Sequence, residues 1–312
     1  MRPAADRHRR AYQSAGELAL ALNQEDGEPA FMVLTLTGIN RYPIKSCRGQ
    51  AVREAVVEPW GLVGDRRWML VDEQGRVMTA RKHPQLVLVT PQPNPAGLLV
   101  QAPEVDTLLV DTPEGAELCD VQVFASVVAA SLAAEQANAW FSKVVGEPVR
   151  LVYLDDPTRR RPNPQYSRAG DRVSFADGYP LLLATEQSLV ALNDLIAEGP
   201  RSAEGPMSMT RFRPNLVVAG AAAWAEDGWR VLRVGAARFR AVKSCDRCVL
   251  TTIDPSTATK GREPLMTLAR HRRWDGKTWF AINLIPDSPG VTLRVGDEVD
   301  VLEQVETAEP LR

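Results

Sequence analysis

Lys243-Ser-Cys-Asp-Arg-Cys-Val-Leu-Thr-Thr-Ile-Asp-Pro255 sets two cysteines, Cys245 and Cys248, at CxxC spacing where a β-rich run, Arg238 to Lys243, ends. A thiolate held at a strand end can ligate a soft metal or attack a substrate. A structural zinc site needs two more ligands at comparable spacing. The remaining candidates, Cys47, Cys119, His8, His83 and His271, are isolated in sequence. A redox dithiol of the thioredoxin type expects the pair at the start of a helix, whose dipole lowers the first thiol's pKa. Val249 to Ile253 is rich in β-branched residues and runs into Asp-Pro, so no helix is expected to open there. Two small buried hydrophobes form the third reading.

Around this stretch, 312 residues give room for two domains, and 45% hydrophobic with 24% charged residues is the balance of a globular chain. A net charge of -2 supplies no global attraction to nucleic acid or to a membrane surface. No run reaches the ~18 uninterrupted apolar residues of a membrane span. Four cysteines without an apolar signal segment imply a reducing, cytoplasmic setting. Residues 1–31 are expected to be a flexible extension; Asp6, Glu17, Glu25, Asp26 and Glu28 do not suit an acid-poor transit peptide.

In chain order, Val33 to Asn40 reads as a strand. The loop after it, Tyr42-Pro-Ile-Lys-Ser-Cys-Arg-Gly49, offers Lys45 and Ser46 as a charge and a hydroxyl, or as an ordinary solvated loop. Ala51 to Glu58 reads as one strand, and Arg66–Val71 is expected to pair with Arg76–Arg81 through the Asp72–Gly75 turn. Alternation would send Arg66 and Arg67 to opposite faces, and an inward arginine requires an anion. Ala133 to Val145 has the period of a helix capped by Gly146, and Thr185 is placed to N-cap Glu186–Ala197. Arg159-Arg-Arg161 is a basic loop, either solvated or facing an acidic partner. Trp229–Val234 and Arg238–Lys243 form a hairpin that delivers the cysteine motif. A short helix is expected at Leu265–Arg270, with strands at Trp279–Ile285 and Val291–Leu302. The tripeptide Lys-Ser-Cys occurs twice, from Lys45 and from Lys243.

Taken together, Tyr42–Gly49, Gly64-Asp-Arg-Arg-Trp-Met69, Thr79-Ala-Arg81, Phe212-Arg-Pro-Asn215, Cys245–Pro255 and Val295-Gly-Asp297 resemble the MOSC proteins. Within them they are most similar to bacterial N-hydroxylated-compound reductases and the mitochondrial amidoxime-reducing component. The resemblance runs in order from Val33 to Leu302. It implies an α+β, β-rich fold with a few peripheral helices: an N-terminal β-barrel-like domain, 32–124, and a MOSC β-barrel domain, 125–312. It further implies a molybdenum-molybdopterin cofactor between them. By motif, Cys248 would ligate the metal; Lys45, Ser46, Arg66 and Arg213 would bind the cofactor, with Gly178, Tyr179, Asp246, Arg247 and Asn283 around it. Asp177 and Asp246, with Asp254, are the acids near enough in motif terms to handle protons. Asn283 falls where mitochondrial members carry a tyrosine. Arg247 is expected to help keep Cys248 deprotonated, leaving Cys245 and Cys47 as structural thiols.

The activity implied is reduction of hydroxylamines, N-hydroxylated bases or amidoximes. Electrons would come from a separate ferredoxin, flavoprotein or cytochrome b5-like donor, because no [2Fe-2S] motif and no anchor are seen in this chain; Arg159–Arg161 is the candidate donor-facing patch. Two other readings stay open. One is sulfur transfer through a Cys248 persulfide, although the sulfurase branch uses a pyridoxal phosphate domain for which two MOSC-type regions leave no room. Pyridoxal phosphate binding is a family-level expectation only. The other is a non-catalytic cofactor carrier.

Overall fold

Residues 33–312 are described in the computed structural model, and the expected extension 1–31 lies outside them. β1 (Thr35–Arg41) is followed by β2 (Gln50–Val52), β3 (Glu54–Glu58), β4 (Gly61–Leu62) and β5 (Trp68–Val71). β6 (Thr90–Asn94), β7 (Gly97–Ala102) and β8 (Val105–Asp111) form a three-stranded sheet, and β9 (Leu118–Val123) pairs with β10 (Ser126–Leu132). α1 (Glu135–Val145) leads to β11 (Arg150–Tyr153); β12 (Leu181–Thr185), α2 (Glu186–Ala197) and β13 (Leu216–Ala219) make a parallel crossover. β14 (Trp229–Val234) and β15 (Ala237–Asp246) form the expected hairpin. After α3 (Leu265–His271) come β16 (Arg273–Trp274), β17 (Lys277–Pro286), β18 (Thr292–Arg294) and β19 (Val299–Gln304).

The large sheet has the order β19-β14-β15-β17-β12-β13-β1-β2, with β16 on β17; a second sheet runs β5-β11-β10-β9. Leu36, Leu183, Leu216, Phe239 and Ile282 belong to the core of the first. A separate core holds Ile44, Trp68, Leu70, Phe141 and Leu151. Full burial of a side chain such as Phe141 contributes about 1.5–3 kcal/mol, so each core can hold its sheet in place.

The helices follow their local signals. Gly146 takes the left-handed conformation, φ 84°, that closes α1, and Thr185 Oγ1 accepts the Ser188 N–H at 3.2 Å to open α2. Strand pairing departs from expectation. β5 is buried along its whole length and pairs with the apolar β11, Met69 opposite Val152, while only a single bridge, Val71 to Val77, joins it to the 76–81 segment. The Asp72 carboxylate turns the chain by accepting the N–H groups of Gln74 and Arg76, but the four buried side chains of β5 need an apolar neighbour more than a local one. Ala51–Glu58 divides into β2 and β3 at Arg53, and Val291–Leu302 divides at a turn where Gly296 has φ 102°. The seam expected at 124/125 falls in the turn between β9 and β10, and β1 lies in the large sheet beside β13.

Candidate functional site

β15 is ten residues long, and its pairing with β17 slips between Ala241 and Lys243 and again between Ser244 and Asp246. Such bulges bend a strand and re-aim its side chains; here they turn the end of β15, with Cys245 and Asp246, into a cleft. Cys248 then precedes a single 3₁₀ turn, Val249–Thr252, rather than an α-helix. The hydroxyls of Thr251 and Thr252 donate back to the carbonyls of Cys248 and Val249 at 3.0 and 2.9 Å, which tightens the turn.

Of the site residues named from the sequence, all but the candidate acid Asp254 line this one cleft: Lys45, Ser46, Arg66, Asp177, Gly178, Tyr179, Arg213, Asp246, Arg247, Cys248 and Asn283. The cleft and its open mouth contain about 790 Å³ of atom-free space. Its lining has five cations, Lys45, Arg66, Arg81, Arg213 and Arg247, against two carboxylates, Asp177 and Asp246. The buried Nε atoms of Arg81 and Arg247 find no hydrogen-bond partner among the described residues. Ser46, Arg66 and Arg213 have φ of 72°, 46° and 57°, a left-handed conformation that costs non-glycine residues of order 1 kcal/mol or more and clusters at functional sites. The excess of cations over carboxylates, with two buried guanidinium donors left unpartnered, suits an anion.

Two networks build the walls. Arg66 Nη1 donates to Asp65 Oδ2 at 2.6 Å and to Asn215 Oδ1 at 2.9 Å, and its Nη2 to the Arg213 carbonyl at 3.3 Å. The inward arginine thus finds its anion one residue away, in fully buried Asp65. On the other wall, Lys45 Nζ donates to the Phe175 carbonyl at 2.7 Å and to Asp177 Oδ1, while Arg81 Nη2 donates to Asp177 Oδ2 at 3.0 Å. Burial lowers the Lys45 ammonium to about 8, with Asp177 opposing the shift. Desolvation alone would raise the Asp177 carboxyl, but Lys45, Arg81 and Arg66 hold it well below the usual carboxylate range.

Several expectations shift. The guanidinium of Arg247 donates to Cys245 Sγ at 2.9 Å and to the Phe212 carbonyl at 2.8 Å, so it serves the first cysteine and not Cys248. Burial raises the Cys245 thiol, with Arg247 opposing, and pushes the Cys47 thiol up to about 12. Among the described residues no hydrogen bond reaches Cys248 Sγ, and no cluster of three or more His, Cys, Asp or Glu side chains is placed to hold a metal. Asp254 lies outside the cleft, committed to Arg211 at 2.7 Å and to the N–H groups of Ser256 and Thr257. Asn283 Nδ2 donates to the Lys243 carbonyl at 3.1 Å, which ties β17 to β15 beside the cleft.

The basic loop also comes apart. Arg159 pairs with Asp155 at 2.7 Å, and Arg160 is buried, donating to the carbonyls of Ser174, Ala176 and Asp177. Arg160 is therefore an internal clamp on the loop that carries Asp177, Gly178 and Tyr179, and only Arg161 of the three remains an exposed, unburdened candidate for docking. Arg81 and Asn215 were not assigned roles from the sequence, and Arg160 was assigned only to the donor-facing patch. The first two sit in motifs quoted above; Arg160 has no local signal, because its partners are fourteen to seventeen positions away.

The sequence profile of the MOSC N-terminal beta barrel domain matches residues 33–148, and that of the MOSC domain matches residues 170–300. The chain is 34% identical over 279 residues to mitochondrial amidoxime-reducing component 1 of Xenopus laevis, spanning 83% of this chain and 79% of that protein. Against the component 1 of Homo sapiens the identity is 33% over 282 residues, spanning 84% and 81%. It is also 31% identical over 283 residues to the molybdenum cofactor sulfurase of Oryza sativa subsp. japonica, spanning 85% of this chain but 34% of that protein. The chain belongs to the MOSC family, in the group that includes the amidoxime-reducing components.

Proposed function

We propose that this protein is a molybdenum cofactor-dependent oxidoreductase that reduces N-hydroxylated compounds: hydroxylamines, N-hydroxylated bases and amidoximes. The observation that carries the reading is the gathering of a free thiol and a five-cation lining in one cleft, from segments that belong to both matched domains. The donor set suits the group. Cys248 Sγ is a soft ligand without a competing partner, and Lys45, Ser46, Arg66 and Arg213 offer charge and hydrogen bonds to an anionic pterin terminus. Backbone groups of Gly178 and Tyr179, with Asp246, Arg247 and Asn283, complete the surroundings.

When bound, the cofactor supplies the two electrons that cleave the N–O bond; with two protons the products are the amine or amidine and water. The chain's own part is positioning and protons. Asp177, held ionised by two cations, has no proton to give at neutral pH, so its role is to accept and orient. Lys45, protonated below about pH 8 and hydrogen-bonded to Asp177, is the group from which a proton reaches the cleft. Asp246, half exposed and paired with Lys277 at 3.3 Å, lines the same cleft as a second carboxylate that can accept and orient. Electrons arrive from a separate protein, of ferredoxin, flavoprotein or cytochrome b5-like type. Among the described residues no helix is long and apolar enough to cross a membrane, and the four cysteines are free thiols. We place the seam between the two domains after β11, because β10 and β11 extend the sheet that β5 and β9 belong to.

The test is metal and pterin content of wild type beside Cys248→Ala, made in a host that synthesises the cofactor, followed by turnover of an N-hydroxylated substrate with a chemical reductant. Near-stoichiometric molybdenum in wild type, and turnover falling to background in the variant, is expected. A folded wild type with neither metal nor pterin sinks the reading and brings forward persulfide chemistry at Cys248. A loaded wild type without turnover brings forward a carrier.

A further inference from the structure

Arg66 and Arg213 share one aromatic ring. Their guanidinium carbons lie 4.2 and 4.3 Å from the centroid of Tyr42. Tyr42 does not line the cleft; it stands behind it, 3% exposed. Its backbone N–H donates to Asp65 Oδ1 at 2.8 Å and its hydroxyl to the Pro214 carbonyl at 3.2 Å. Its ring presses on Gly49, where a Cβ would come within 2.2 Å of a ring carbon. The hydroxyl bond and the Gly49 contact thus hold the ring, the Asp65 bond holds its backbone, and Tyr42, Gly49 and Arg213 also border a second cavity.

The two arginines need such a support. Both hold a left-handed backbone, and two like charges gathered in a partly desolvated wall repel each other. Asp65 compensates Arg66 directly, whereas Arg213 makes no side-chain hydrogen bond or ion pair among the described residues. The negative face of an aromatic ring attracts a guanidinium without consuming its N–H donors, so those of Arg213 stay available to an incoming anion, together with the donors of Arg66 not already given to Asp65, Asn215 and the Arg213 carbonyl. Resting on the cofactor reading above, we propose that Tyr42 is a positioning residue that keeps Arg66 and Arg213 convergent as a paired receptor for the anionic terminus of the cofactor, with Gly49 providing the room for its ring.

The experiment measures molybdenum and pterin retained per chain after desalting at rising KCl, for wild type, Tyr42→Phe and Tyr42→Leu. Tyr42→Phe keeps the ring and should match wild type. Tyr42→Leu should lose cofactor about tenfold more readily, the product of two cation–π contacts of ordinary strength, and more steeply with salt. Fluorinated phenylalanines at position 42 drain electron density from the ring with little change of shape, so they decide the matter even where Tyr42→Leu does not fold. Retention falling stepwise with fluorination supports the assignment. A flat fluorination series, or a Tyr42→Phe loss as large as that of Tyr42→Leu, overturns it. A wild type that holds no cofactor overturns this assignment together with the reductase reading, whereas a loaded wild type with a flat series overturns this assignment alone.

Discussion

The same tripeptide, Lys-Ser-Cys, occurs twice and meets two fates. In the first copy Lys45 is buried at the cleft wall, Ser46 lines the cleft with φ 72°, and Cys47 is sealed in the core with Trp68 and Phe141. In the second, Lys243 leaves the cleft to donate to the Tyr166 hydroxyl at 3.0 Å, Ser244 is buried against the backbone of Leu311, and it is the cysteine, Cys245, that lines the cleft. Backbone geometry makes the difference. In β15 alternation puts Lys243 and Cys245 on one side and Ser244 on the other. In the loop after β1 a left-handed Ser46 breaks alternation, so lysine and serine reach the cleft together and the cysteine turns inward.

Exchanging the two lysines' roles is the strongest way to break this comparison. Lys45→Met strips exposed Asp177 of one of its two cations and leaves the Phe175 carbonyl without its Nζ donor, so cofactor loading should fall about tenfold or more, the scale of a lost hydrogen bond to a charged group. Lys243→Met should stay within about threefold, because its contact is with the Tyr166 side chain. Molybdenum per chain decides; equal losses would mean that the two copies do not differ as drawn.

The alkaline limb sharpens the first copy. Lys45 is cationic below about pH 8 and neutral above it, so turnover should fall by about tenfold per pH unit well beyond that point if the charge is needed. Lys45→Arg should remove the limb. Stability moves the other way: the folded value of about 8 lies below the ordinary 10.5, so the unfolded chain binds more protons between them, and this group makes the fold more stable as pH rises through that window. Thermal melts and rates measured across the window should therefore diverge; parallel curves would exclude Lys45 as the titrating group.

Smaller effects follow at the supporting positions. Arg160→Gln should cost about 1–3 kcal/mol in a denaturant titration, since it strands buried carbonyls of the 174–177 loop, while Arg161→Glu should lie within about 0.5 kcal/mol. Equal costs would return Arg160 to the surface. Smallest of all, Cys47→Ala should cost about 1 kcal/mol of stability and leave loading intact, because a sealed thiol raised to about 12 has a packing role only. A loss of metal in that variant would assign the first cysteine a part in the site.

Much of this was readable along the chain. The β14–β15 hairpin, the Gly146 and Thr185 caps and the short helix α3 rest on residues within a few positions of one another, and local chemistry is written locally. The motif set likewise named eleven residues that line one cleft. What lay beyond reach was every choice of distant partner: β5 taking β11 rather than its own hairpin, Arg247 turning to Cys245, and Arg160 leaving the surface to hold a loop.

By itself, then, the sequence determined which side chains could do chemistry and which segments would be helix or strand, because caps, periodicity and motif spacing act over a few residues. Only the tertiary structure decided charge and exposure. Lys45 owes its lowered pKa to a cleft wall that includes Phe175 and Asp177, 130 and 132 positions away, and burial and Coulomb energy depend on distance in space, which no local reading contains.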